Sequence, residues 1–107
     1  MTTALPSLWD LIGDACALDG ARTLHLVVGR PPMVRIAEEG LRPLDPSLPV
    51  LTYKQIQLML STAVEPERWN QLEQTGDGEV RLLVGSGRPI TLTLFRNSDS
   101  WSAVVHL

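Results

Sequence analysis

Residues 23–36 read Thr23-Leu24-His25-Leu26-Val27-Val28, then Gly29-Arg30-Pro31-Pro32, then Met33-Val34-Arg35-Ile36. Before the prolines the apolar side chains fall at every second position, so Leu24, Leu26 and Val28 share one face of a strand. After them Val34 and Ile36 do the same. A proline pair offers no N–H to a sheet ladder, so Pro31-Pro32 reads as a stiff link between two strands and not as a strand interior. Glu39-Gly40 reads as a turn, Leu41 to Leu44 as a short third strand, and Asp45 to Pro49 as a loop. Links this short make successive strands antiparallel.

Helical spacing appears on both sides of this block. Ser7 is a good N-cap, and Asp10 is placed to reach back to its N–H. Leu8, Leu11, Ile12 and Ala15 then form one stripe. Asp19-Gly20 is the expected stop, with glycine free to take the left-handed conformation. Thr52 with Gln55 makes a second capping box, followed by a stripe of Ile56, Met59, Leu60 and Ala63. Pro66 opens a third helix at the position where proline is tolerated. Trp69 and Leu72 face inward, and Gly76 ends it. The rest of the chain alternates again. Val80, Leu82 and Val84 form one strand, Ile90, Leu92 and Leu94 a second, and Trp101, Ala103, Val105 and Leu107 a third. Ser86-Gly87 and Asn97-Ser98-Asp99 are the expected turns between them.

The order is therefore α-βββ-αα-βββ. An antiparallel sheet of about six strands must bury one face, and three helices are available to cover it. The predicted fold is α+β, two-layered, with the three helices on one face and residues 1–107 forming one domain.

Composition agrees and narrows the function. With 107 residues, 44% hydrophobic and 20% charged, the chain is the size and make-up of a soluble globular domain. No apolar run approaches the roughly 20 residues of a membrane-spanning helix. Met1-Thr2-Thr3-Ala4 has no basic region ahead of an apolar stretch, so no secretory signal is read. One cysteine, Cys16, excludes an internal disulfide framework and a thiolate zinc site, and fits a reducing compartment. A cytoplasmic location is expected. The net charge of −3 argues against sequence-independent nucleic-acid binding. Acidic residues gather in the helical segments and arginines in the strands, a division that could orient a charged partner.

No catalytic constellation is apparent. The nearest glycine cluster, Gly85-Ser86-Gly87-Arg88, lies between two strands and reads as a hairpin turn, not as a phosphate loop. The one lysine, Lys54, lies within a helix. His25 and His106 fall on the outward phase of strands without converging partners, so no metal or other cofactor is expected. Cys16 beside an apolar stripe reads as a small buried hydrophobe. The outward phase of the strands is more informative. It holds Val27, Leu83, Phe95 and Val104 beside Thr91, Thr93, His25 and Arg35. An open sheet face is usually polar, so this mixture reads as a docking patch.

The stretches Gly20-Ala21-Arg22-Thr23-Leu24-His25-Leu26, Gly29-Arg30-Pro31-Pro32-Met33-Val34-Arg35, Gly40-Leu41-Arg42-Pro43-Leu44 and Leu51-Thr52 resemble the N-terminal domain of type IV pilus retraction ATPases. These are the PilT-like members of the type II/IV secretion ATPase superfamily. Their pattern is roughly G-A-S-D-L-H-L, G-x-P-P-x-x-R, G-x-L and L-T. The resemblance covers most of the chain and implies a PAS-like fold. In the family this domain precedes a RecA-like ATPase domain in a six-membered ring, packs on a neighbour's ATPase domain and moves with the nucleotide cycle. Two departures stand out. Arg22-Thr23 replaces a Ser-Asp pair, and Thr91-Leu92-Thr93 replaces Arg-x-Asn. Walker A and B elements are absent from these residues, so the family's ATP hydrolysis is not expected of them.

The expected function is a non-catalytic interaction or regulatory module acting on a pilus or secretion motor ATPase or a related component. Its expected partner-binding residues are Val27, Arg30, Arg35, Leu83, Thr91, Thr93, Phe95 and Val104. Two alternatives stay open: a fragment of a full-length hexameric ATPase, and a small-ligand sensor of PAS-like type. A homodimer through the outer sheet face or a terminal strand edge is also compatible.

Overall fold

A computed structural model describes residues 7–84, 87–97 and 100–107. Three helices, α1 (Leu8–Cys16), α2 (Tyr53–Ala63) and α3 (Pro66–Thr75), accompany six strands. The strands are β1 (Ala21–Leu26), β2 (Met33–Ile36), β3 (Gly40–Pro43), β4 (Asp77–Val84), β5 (Arg88–Asn97) and β6 (Ser100–His106). They form one sheet in the order β3-β2-β1-β6-β5-β4, with every neighbouring pair antiparallel. The two three-stranded halves thus meet where β1 pairs with β6.

The predicted α+β class and the element order hold. Both capping boxes are present, Ser7 with Asp10 and Thr52 with Gln55. Pro66 opens α3, and Gly76 ends it in the left-handed conformation, with its N–H donating to the Leu72 carbonyl at 2.7 Å. The helices bury Leu8, Leu11, Ile12, Ala15, Ile56, Leu60, Trp69 and Leu72 against one face of the sheet. That face supplies Leu24, Leu26, Val34, Ile90, Leu92, Leu94, Ala103 and Val105.

Three boundaries shift. Helix α1 stops at Cys16 with Ala17 as its cap, not at Asp19-Gly20. The Leu18 N–H turns back to the Ala15 carbonyl, and left-handed Gly20 instead delivers the chain into β1, its carbonyl accepting from Ala37 N–H at 2.9 Å. Strand β1 ends at Leu26, two residues short of the alternation. There the Arg30 N–H closes a turn onto Val27, while Gly29 N–H donates to the Leu51 carbonyl and Leu51 N–H to the Arg30 carbonyl. That reciprocal pair seats buried Leu51 just ahead of α2. Strand β3 starts one residue early, at Gly40. Ser98 and Asp99 of the expected Asn97-Ser98-Asp99 turn, and Ser86 of the expected Ser86-Gly87 turn, fall outside the described residues. The registers Val84↔Arg88 and Asn97↔Ser100 make β4 and β5, and β5 and β6, antiparallel neighbours.

Candidate partner-binding face

The helices leave the second face of the sheet uncovered, and the strand registers place its side chains in rows. One row runs Leu41, Arg35, Thr23, His106, Thr91, Arg81 across all six strands. The adjacent row runs Pro43, Met33, His25, Val104, Thr93, Glu79. Beyond it Ser102, Phe95 and Asp77 continue on the β6-β5-β4 side.

The centre of this face is half-buried and nearly free of formal charge. Thr23, His25, Val104, Thr93 and Thr91 are all of intermediate exposure. Thr23 Oγ1 lies 2.8 Å from His25 Nε2, and Thr93 Oγ1 lies 3.3 Å from His106 Nε2. The Thr23 and Thr93 hydroxyls and the two Nε2 atoms thus have partners within the protein. Burial, then the Arg35 guanidinium, then His106 hold the His25 imidazole below its usual pKa, which favours the neutral ring. Large apolar groups stand around this centre: Leu41 at 43% exposure, Phe95 at 41% and Leu83 at 69%. Arg35 on one side and Arg81, Glu79 and Asp77 on the other supply the charge. Protein-docking surfaces combine apolar patches with groups of fixed polarity in this manner.

Of the expected partner-binding residues, Arg35, Leu83, Thr91, Thr93, Phe95 and Val104 lie on this one face. Val27 and Arg30 do not belong to a strand. They follow the end of β1, and the backbone of Arg30 serves to anchor Leu51. Met33, Leu41, Ser102 and the Asp77–Glu79–Arg81 line belong to the face and were not among the expected residues. Only their strand phase could have pointed to them. Ser102 is buried although it sits on the open side, directly opposite Phe95. The glycine cluster sits between antiparallel β4 and β5, with Gly85 and Ser86 outside the described residues. Cys16 is half-buried against the core. Among the described residues no three His, Cys, Asp or Glu side chains converge in a way that could hold a metal ion. No described helix is long and apolar enough to cross a membrane.

Comparison with known proteins gives a fold but no family. No protein-family model matches the sequence, and no curated protein matches it. Among solved structures, the pilus retraction motor PilT with bound ADP superposes with a TM-score of 0.84 at 21% identity, over 96% of this chain and 29% of that one. The ATPase DotB of Legionella pneumophila gives a TM-score of 0.65 at 13% identity, over 99% of this chain and 30% of that one. The chain therefore has the fold of a part, under one third in length, of each of these two larger proteins.

Proposed function

We propose that the chain is a docking module for a motor ATPase of the pilus-retraction or secretion type, and that it binds through the open face of its sheet. The observation that carries this reading is the six-strand face itself. Among the described residues it is uncovered, and it is edged by Phe95, Leu83 and Leu41, on a fold matched to PilT over 96% of the chain. The sequence resemblance to the N-terminal, PAS-like domain of such motors supports the same partner class. The two departures from that family's pattern converge on one place, because Thr23 and Thr91 flank His106 from opposite sides. Altered residues at one point of a docking face fit a changed partner or a changed mode of docking. The module acts in the cytoplasm, without catalysis or cofactor of its own, by binding the motor and altering its cycle.

A purified pilus retraction ATPase titrated with this chain tests the reading. Saturable binding is expected, weakened at least tenfold by Phe95→Asp, with the variant's thermal unfolding unchanged. Equal binding by both proteins, or none by either, overturns it. So does nucleotide turnover by the 107-residue chain alone. A second reading is favoured by the 29% and 30% coverage of the solved chains. In it the same face packs on an ATPase domain of the same polypeptide. A reading frame that continues beyond Leu107 into a phosphate-loop motif decides for that version, and a stop codon there decides against it.

A further inference from the structure

The sheet has two edge strands, and they are treated differently. Strand β3 is four residues long, ends in Pro43 and carries Arg42 paired with Glu39 at 3.8 Å. Short length, proline and charge are the usual means of blunting an edge. Strand β4 is eight residues long, has no proline, and carries a single charge, Arg81, in its second half.

The register fixes which backbone groups of β4 point off the sheet. The Gly76 carbonyl accepts from Arg96 N–H, so Gly78, Val80, Leu82 and Val84 continue the pairs that bond to β5. Asp77, Glu79, Arg81 and Leu83 therefore direct their N–H and C=O groups outward. Pro89 agrees with this assignment, since it stands opposite Leu83, where no N–H is needed toward β4. Helix α3 takes up the first part of this edge. Thr75 Oγ1 donates to the Asp77 carbonyl at 2.8 Å, and Arg68 Nη2 donates to the Glu79 carbonyl at 2.9 Å. Among the described residues nothing takes the N–H and C=O groups of Arg81 and Leu83, and Leu83 is the most exposed large apolar side chain.

We propose that this open half-edge pairs with the same half-edge of a second copy of the chain, in an antiparallel register that sets Arg81 opposite Leu83 of the other copy. A two-fold axis through Leu82 produces that register. The four free groups of each copy then meet their complements in four hydrogen bonds. On the core side Leu82 lies opposite its own counterpart, and half-buried Val80 lies opposite half-buried Val84. On the open side each Leu83 covers the stem of an arginine. Shifting by one pair to set Arg81 against Arg81 opposes like charges. It also demands the Glu79 carbonyl, which Arg68 already holds. The Arg68 contact thus acts as a stop against a shift in that direction. The two α3 helices fall at opposite ends of the joint. This pairing is made by the outward backbone of β4; it shares Arg81 and Leu83 with the rim of the docking face, but it does not depend on that face's binding a motor.

Sedimentation equilibrium of the purified chain across micromolar to millimolar concentration tests the proposal. The expected mass rises with concentration to twice the 11.8 kDa of one chain. Leu83→Pro removes the outward N–H without touching the β5 ladder, and is expected to leave the mass at one chain. Leu83→Lys keeps the backbone and sets an ammonium opposite Arg81, and is expected to weaken association at least tenfold with an unchanged circular dichroism spectrum. Phe95→Asp, which disables the docking face, is expected to leave the dimer intact. One-chain mass at every concentration overturns the proposal, including the case where only an extended peptide from another protein binds the edge. A dimer that survives Leu83→Lys, or that is lost in Phe95→Asp, overturns it as well.

Discussion

The indole rings of Trp69 and Trp101 lie 5.1 Å apart between centroids, tilted by 41°. Trp69 belongs to α3 and Trp101 to β6, so this contact fastens the third helix to a central strand of the sheet. Arg96, directly across from Trp101 on β5, sets its guanidinium 5.6 Å from the same ring. Both indoles are buried, and tilted aromatic pairs add about 0.5–1.5 kcal/mol beyond their burial. Trp101→Ala is expected to cost about 3–5 kcal/mol in urea unfolding. In a double-mutant cycle with Trp69→Ala, the two losses should fall short of additive. Strict additivity would show that the rings pack independently.

Helix α3 also depends on a missing side chain. A Cβ built on Gly78 would stand 2.5 Å from Leu72 Cδ2 and 3.2 Å from Arg68 Nη2. Leu72 is fully buried, so it has little room to retreat. Gly78→Ala is expected to destabilise the chain by about 1–3 kcal/mol through overpacking. The same substitution on a Leu72→Val background should cost less than on the parent, because the clashing methyl has withdrawn. Equal costs on both backgrounds in thermal unfolding would show that the strand moves instead.

Much of the fold could be read from residues that act locally. Capping boxes, the Pro66 start, the Gly76 stop and the strand alternation are properties of neighbours in sequence, and each appears where expected. The places where reading failed involve partners far along the chain. Alternation runs on to Val28, but bonds to Leu51 end β1 at Leu26. Gly20 looks like a helix stop, but its conformation serves the start of β1. The open face of the sheet shows the same division. Phase alone puts Thr91, Thr93, Phe95 and Val104 on one side, whereas the rows joining Met33 to His25 and Leu41 to Arg35 need the register. The hold of Arg68 on the Glu79 carbonyl has no sequence signature at all.

The second capping box offers a test of local stabilisation. Thr52 Oγ1 accepts from Gln55 N–H at 3.2 Å, and Gln55 Oε1 accepts from Thr52 N–H at 2.9 Å. Two amide groups at the start of α2 are thus satisfied reciprocally. Thr52→Ala is expected to lower stability by about 1 kcal/mol, and Thr52→Asp to restore most of it. Thermal unfolding reads both. An alanine variant as stable as the parent would mean that the Leu51 anchor alone sets the helix start.

His25 makes stability depend on pH in a predictable direction. Its imidazole is held below the usual pKa by burial first, then by Arg35 and His106. The unfolded chain, with an ordinary pKa near ~6.5, therefore takes up its proton before the folded chain does as pH falls. Proton uptake favours the state that binds more protons, so stability is complete above the unfolded value. It declines as pH drops through that value and levels off below the depressed folded one. Thr23 Oγ1, 2.8 Å from Nε2, can donate to the neutral ring and not to the imidazolium, which reinforces the same direction. His25→Gln removes the titration while keeping a polar partner for Thr23. Urea midpoints measured between about pH 7.5 and 5 should fall less steeply in His25→Gln than in the parent, since every other titrating group is shared. Parallel profiles would show that the ring is as freely protonated in the folded protein as in the unfolded chain.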